Sequence, residues 1–116
     1  MNEITTGRYL DKLVRRRHQI VMTQQYLANE QRQVEQNTDW LDQAAYQSRV
    51  NLLDRLSDWY DTEINQIDKA IERISRNSYG FCVACDEAIE DERLATAPEA
   101  EFCSECEKLR EGLRCL

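Results

Sequence analysis

The sequence predicts a mainly α-helical protein: a long antiparallel two-helix coiled-coil hairpin followed by a small C-terminal module organised by four cysteines. Three observations lead to this fold class. Only three glycines and one proline occur in 116 residues, so the chain has few turns. Two long stretches repeat apolar residues at alternating steps of three and four, which is typical of coiled coils. Two Cys-x-x-Cys pairs follow these stretches.

Each predicted helix has a seam, meaning the set of positions that would face the other helix. The first helix is expected from about Ile4 to Gln36, and the second from about Trp40 to Asn77. The first seam has three polar members and comprises Leu10, Leu13, Arg17, Ile20, Gln24, Leu27, Gln31 and Val34. The second seam comprises Tyr46, Val50, Leu53, Ser57, Tyr60, Ile64, Ile67, Ile71 and Ile74. Leu52, Leu56 and Trp59 widen the second apolar stripe.

A short connection, about Asn37 to Asp39, should make the two helices antiparallel neighbours. We expect the hairpin at residues 1–78, with its tip at about 37–44, and the cysteine module with a short C-terminal helix at residues 79–116. Gly80 is the best stop for the second helix, because a left-handed residue is favoured just after a helix end.

The four cysteines have the spacing of a structural zinc site. Two thiolates at i and i+3 can reach one ion, and a second pair after a loop of seventeen residues completes a tetrahedral shell. We expect one zinc ion, and the predicted ligands are Cys82, Cys85, Cys103 and Cys106. Two disulfides are one alternative, but a reducing cytosol disfavours them. A redox Cys-x-x-Cys motif is another, but it normally lies in a βαβ unit, which the sequence does not indicate. Cys115 is interpreted as an unpaired fifth thiol.

The charge distribution excludes some functions. The net charge is −7, and residues 80–116 carry four basic and ten acidic side chains. Such a segment repels a phosphate backbone, which disfavours a DNA-binding finger. No secretory signal and no apolar run of about 20 residues is visible, so we expect a cytoplasmic protein that does not contact membranes. No nucleophile–base pair or open metal site indicates an enzyme.

Two further charge patterns have structural interpretations. Pairing about the tip places the basic run Arg15-Arg16-Arg17 opposite the acidic residues near 58–63, which favours interhelical ion pairs over a partner-binding patch. At the tip, Asp39 can serve as the N-cap of the second helix, with Asp42 at its third position. From spacing alone, capping is the favoured interpretation, although the apolar Trp40 beside these carboxylates indicates a partner.

Two motifs resemble the DksA/TraR family. The tip Asp39-x-x-Asp42-x-Ala44 is similar to the family's Asp-x-x-Asp-x-Ala signature. The second motif resembles the family's four-cysteine zinc finger; it begins Tyr-Gly-Phe-Cys-Val-Ala-Cys at Tyr79 and continues through Ile89, Arg93-Leu94, Ala97-Pro98 and Cys103-Ser-Glu-Cys106. The resemblance covers roughly residues 8–110.

The resemblance implies a monomeric, cytoplasmic bacterial regulator of transcription, of the kind linked to the stringent response, that binds RNA polymerase and not DNA. In this family the coiled coil enters the secondary channel of the polymerase, and the tip acids act near the active site to alter initiation at selected promoters. The resemblance therefore favours Asp42 as the functional carboxylate, with Asp39 and Ala44 supporting the turn. Two alternatives stay open: a transcript-cleavage-type factor whose tip acids hold magnesium, and a zinc adaptor or DNA-binding finger.

The sequence departs from the family at positions that are basic in members responding to ppGpp. By offset from the cysteines, Gln66, Ala97 and Glu107 occupy such positions here. A polyphosphate needs Lys or Arg, and an acidic residue in its pocket adds repulsion. We therefore expect a weak or absent response to ppGpp.

Overall fold

The computed structural model describes residues 3–36 and 42–114, and these residues are mainly helical. The four helices are α1 (Glu3–Gln36), α2 (Gln43–Ser75), α3 (Asp91–Thr96) and α4 (Ser104–Arg114). Within the described residues the only β-type pairing is an isolated antiparallel bridge between Phe81 and Ala88. The predicted fold class is confirmed. None of the described helices is long and apolar enough to cross a membrane.

The chain divides into two compact units, and each is described by itself. The hairpin unit is residues 16–65. The base unit is Met1–Arg15 together with Gln66–Leu116, and it contains the four cysteines.

The hairpin unit pairs α1 with α2 in antiparallel fashion. Glu30 accepts a hydrogen bond from Arg49 at 2.9 Å, whereas Arg16, earlier in α1, binds Glu63, later in α2. The predicted seam is confirmed: Ile20, Val34 and Leu53 are buried, and its polar members in this unit, Arg17, Gln24, Gln31 and Ser57, are half-buried. Alternating three- and four-residue steps keep these side chains on the side that faces the other helix.

Glu63 is the only buried charged residue among those described, at 6% exposure. Its carboxylate accepts hydrogen bonds from Nε and a terminal nitrogen of Arg16. A buried carboxylate without a partner would be costly, so this ion pair fixes which residues of the two helices lie opposite each other. The expected pairing of the basic run with acidic residues of α2 is thus found at Arg16.

Leu52 and Trp59 do not pack in the hairpin as expected from the apolar stripe. Leu52 is 49% exposed and Trp59 is 58% exposed, while Leu56 is half-buried. The neighbouring seam residue Leu53 is buried instead, and the described part of the hairpin unit contains no third helix that could cover Leu52 and Trp59.

Helix α2 ends earlier than predicted. Asn77 adopts a left-handed φ of 61°, its N–H donates to Ile74 O at 3.2 Å, and the Ser78 N–H donates to Arg73 O at 2.9 Å. These bonds form a Schellman motif, so Asn77, and not Gly80, terminates the helix. Gly80 also has a positive φ, of 90°, but it lies within the following turn region.

The base unit has its own small core. Leu13, Ile67, Ala70 and Leu94 are fully buried, and Tyr79 joins them. The Tyr79 hydroxyl donates to Pro98 O at 2.8 Å, and burial raises the pKa of this hydroxyl above its ordinary value.

A glycine commonly ends a helix, but Gly112 does not end the C-terminal helix. Helix α4 passes through Gly112 and continues to Arg114. One glycine in a helix costs only about 1 kcal/mol, which neighbouring turns can offset.

Candidate metal centre and charged sites

The first cysteine pair lies on a tight turn. The Asp86 N–H donates to Cys82 O at 2.9 Å, and the Cys82 N–H donates to Glu87 O at 2.7 Å. Asp86 has a left-handed φ of 63°, which an aspartate tolerates better than most residues. The Phe81–Ala88 bridge closes this turn behind the cysteines. The arrangement holds Cys82 buried and Cys85 at the surface.

The second pair lies at the start of α4. Cys103 immediately precedes the helix, and its carbonyl accepts from the Glu107 N–H at 2.9 Å, which places Cys106 in the first turn. The Val83 N–H donates to Glu101 O at 2.8 Å, so the two cysteine segments are joined through their backbones.

Glu90 caps the beginning of α4 from outside the helix. Its carboxylate accepts from the Ser104 hydroxyl at 2.8 Å and from the Ser104 N–H at 3.3 Å. A hydrogen bond from its own backbone N–H, followed by these bonds from Ser104, lowers the pKa of Glu90. This contact could not be predicted from sequence, because fourteen residues separate the two partners.

The four predicted zinc ligands come together. The sulfur atoms of Cys82, Cys85, Cys103 and Cys106 all lie within 4.8 Å of one another. The Cys85 and Cys103 sulfurs are 3.8 Å apart. A tetrahedral zinc with bonds of about 2.3 Å requires sulfur–sulfur edges of about 3.8 Å, so the cluster fits one Zn²⁺ closely. Four thiolate ligands leave no open position, which makes the site structural.

The pKa shifts of the cysteine thiols explain why the cluster favours a bound cation. Burial raises the pKa of Cys82, but hydrogen bonds from the backbone of Cys103, Cys85 and Ala84 lower it to about 6. The side chains of Cys103 and Cys82 raise the pKa of Cys106 above its ordinary value. The cluster therefore accommodates one thiolate readily, whereas that thiolate repels a second negative charge beside it. A divalent cation bound by the sulfurs removes this repulsion.

Asp42 is the N-cap of α2. Its carboxylate Oδ1 accepts from the Ala45 N–H at 2.7 Å, and its carbonyl accepts from the Tyr46 N–H at 3.0 Å. The helix therefore begins three residues later than expected, with Asp42 and not Asp39 in the capping position. Ala44 is exposed in the first turn. Asp39 lies outside the described residues.

The base unit also contains a charged cleft of about 150 Å³. Gln66, Ala97 and Glu107, the three positions singled out as non-basic, all line it. Glu107 lies between Arg110, at 3.2 Å, and Arg93, at 3.8 Å. The contact between Glu107 and Arg110 could have been predicted from sequence, because the two residues are three positions apart on one helix. The contact between Glu107 and Arg93 could not, because Arg93 lies on α3.

Comparison with known proteins agrees with this architecture. The prokaryotic dksA/traR C4-type zinc finger matches residues 77–112. An uncharacterised protein from Aquifex aeolicus is 34% identical over 84 residues, covering 72% of this chain and 56% of the relative. The RNA polymerase-binding transcription factor DksA of Escherichia coli K12 is 30% identical over 73 residues, covering 63% and 48%. The chain thus spans about half the length of the curated relatives it matches.

Two solved structures are similar. Transcription factor DksA2 from Pseudomonas aeruginosa matches with a TM-score of 0.88 at 27% identity, over 99% of this chain and 89% of that one. The polymerase-binding regulator Dks from Chlamydia trachomatis matches with a TM-score of 0.59 at 21% identity, over 97% and 95%. The second likeness concerns the fold alone.

The fold and the sulfur cluster define a four-cysteine zinc-finger protein built on a pair of long helices. More specifically, the chain is a DksA-like C4 zinc-finger protein, with the dksA/traR-type finger at residues 77–112, as the sequence resemblance predicted.

Proposed function

We propose that this protein is a transcription regulator that binds RNA polymerase directly and does not act as an enzyme. The observation that carries the proposal is the likeness to DksA2 over nearly the whole chain, at a TM-score of 0.88. Its hairpin enters the secondary channel, and its tip acts near the active site to modulate initiation at selected promoters.

In this proposal the tip residues are Asp39, Asp42 and Ala44. Asp42 supplies the functional charge, and the capping geometry supports that role. Its hydrogen bond to the Ala45 N–H orients the carboxylate at the start of α2 while the residue stays exposed. The small side chain of Ala44 leaves room for a partner to approach. The zinc finger at residues 79–116 keeps the base of the protein folded and takes no part in DNA binding.

Photo-crosslinking to polymerase tests this placement. A photoreactive residue at Gln43, the exposed first residue of α2, should crosslink to polymerase segments that line the secondary channel. The same group at exposed Lys108 on α4 is the matched control and should not reach those segments. Absence of polymerase binding, or crosslinks from Gln43 only to DNA, would overturn the proposal. Strong RNA cleavage in backtracked complexes would favour a cleavage factor instead.

We further propose that ppGpp has little effect on this protein. The cleft lined by Gln66, Ala97 and Glu107 contains no basic residue at those three positions, and its Arg93 and Arg110 already contact the Glu107 carboxylate. A polyphosphate would have to displace that carboxylate and would be repelled by Glu101 on the same cleft.

A ppGpp titration of promoter inhibition measures this directly. Inhibition by the wild-type protein should change by less than about twofold across the titration, which corresponds to about 0.4 kcal/mol. The double variant Ala97→Arg/Glu107→Lys, which adds two cations to the cleft, should gain a ppGpp response. Marked synergy between ppGpp and the wild-type protein would show that the cleft, as it stands, does not prevent the response.

A further inference from the structure

Glu90 lies between the two cysteine pairs, and its side chain caps a different helix from the one that it precedes. It is the N-cap residue of α3, yet in the described part of the chain its carboxylate makes no capping bond to that helix. The carboxylate reaches α4 instead, where it accepts from the Ser104 hydroxyl at 2.8 Å and from the Ser104 N–H at 3.3 Å. A carboxylate at an N-cap position normally bonds to its own helix, so this one is diverted to a contact fourteen residues away.

Ser104 lies between the two predicted zinc ligands of the second pair. Cys103 directly precedes α4, Ser104 is the first residue of the helix, and Cys106 lies in its first turn. The first N–H groups of a helix have no acceptor within it, and a carboxylate near that end is also favoured by the helix dipole. Glu90 supplies such a carboxylate at Ser104. It therefore fixes where α4 begins, and with it the backbone positions from which both sulfurs extend.

The backbone around Cys103 is held from two sides. The residue before it is held by Arg93, whose Nε donates to Phe102 O at 2.8 Å. The residue after it is held by Glu90. Cys103 is thus fixed directly, whereas the position of Cys106 follows from where the helix starts. Loss of the Glu90 contact would release the helix start and with it one side of the sulfur cluster.

We propose that Glu90 is a positioning residue for zinc: by holding Ser104, it keeps the second cysteine pair where it can share one ion with the first pair. Sulfur atoms that already lie within 4.8 Å of one another need little further ordering when the ion binds. In a small finger the free energy of metal binding is also free energy of folding, so a contact that favours the folded finger raises zinc affinity. This role of Glu90 is independent of whether the protein binds polymerase.

Zinc affinity, measured on the full-length protein by competition with a chromophoric chelator, tests this role. Glu90→Ala should bind zinc about fivefold more weakly, because the loss of a helix cap commonly costs that much. Glu90→Gln keeps a neutral acceptor for both Ser104 bonds and should stay within about twofold of wild type. Glu105→Gln is the matched control: it removes a charge from an exposed residue in the first turn of α4 and should leave affinity unchanged.

A double-variant cycle shows whether Glu90 acts through Ser104. Ser104→Ala removes the shorter of the two bonds and should weaken zinc binding as Glu90→Ala does. If the two residues act as one contact, the double variant should lose less than the product of the two single losses. Losses that multiply would show that Glu90 acts elsewhere, and wild-type affinity in Glu90→Ala would show that the cluster needs no such support. Either result overturns the proposal.

The conservative variant decides the remaining cases. Should Glu90→Ala fail to retain the metal, Glu90→Gln still distinguishes the two outcomes. Near-wild-type affinity in Glu90→Gln supports positioning by hydrogen bonds, and a loss as large as that of Glu90→Ala overturns it. An equal loss in Glu105→Gln would mean that any nearby carboxylate raises zinc affinity through its charge, which would also overturn the positioning role.

Discussion

Replacing Cys82 with serine should abolish stoichiometric zinc binding and unfold the finger, while the hairpin unit keeps most of its helicity. A serine hydroxyl is a poor zinc ligand at neutral pH, and loss of one ligand forfeits much of a binding free energy of about 10–16 kcal/mol. The finger has little else to hold it: between residues 81 and 113 the buried side chains are Cys82, Ile89, Leu94, Pro98 and Cys103. So small a core does not offset the chain entropy of ordering.

Zinc content and amide spectra measure this effect. The wild-type protein should contain one zinc ion per chain, and Cys82→Ser should contain less than a tenth of that and lose dispersed amide signals from residues 77–112. Cys115→Ser is the matched control, because it removes a thiol that is not a predicted ligand and should retain the full zinc content. Helicity at 222 nm should fall only modestly in Cys82→Ser, since α1 and α2 contain most of the helical residues. A finger that keeps its amide dispersion after chelation would contradict a structural role for the metal.

The parts of the fold that depend on periodicity were predictable from sequence. Leu13, Ile20 and Val34 are buried as expected, and even the polar seam positions are half-buried, because a helix repeats its geometry regardless of which residue occupies a position. The zinc ligands were equally predictable, since the i, i+3 spacing in each pair restricts where the sulfurs can lie.

Helix boundaries were less predictable, because several residues can perform the same capping role. Asp39 and Asp42 are both good N-caps, and Asn77 competes with Gly80 for the left-handed position at the helix end. Capping propensity alone does not indicate which of two suitable residues, three positions apart, lies at the end of the helix. At Asn77 the choice is made by two backbone hydrogen bonds to Ile74 and Arg73.

Contacts between distant segments were the least predictable. The sequence indicated that Arg15, Arg16 and Arg17 face acidic residues of the second helix. It did not indicate that Glu63 would be the buried one, because Glu63 is covered by α1 and its partner Arg16 lies 47 residues away in the chain. The contact of Arg93 with Glu107 is similar, because it joins α3 to α4. Such pairs form only when distant segments are brought together in the folded structure, so the sequence alone does not reveal them.

Asp42→Asn should lose most of the protein's effect on a ribosomal RNA promoter while leaving its fold nearly unchanged. Asparagine caps a helix about as well as aspartate, so the hydrogen bond to the Ala45 N–H and the start of α2 should be preserved. The substitution therefore removes the charge alone. A carboxylate that makes a charge-assisted contact in a partner contributes about 1.5–3 kcal/mol, so inhibition should fall roughly ten- to hundredfold.

Two companion variants make this result interpretable. Asp54→Asn removes an equal charge from an exposed position farther along α2 and should inhibit like wild type. Asp42→Ala removes the cap as well, so it should also destabilise α2 by about 1 kcal/mol. If Asp42→Asn inhibits as well as wild type while Asp42→Ala fails, the helix start matters and its charge does not. In that case Asp42 is a structural cap, and the functional carboxylate must be sought elsewhere at the tip.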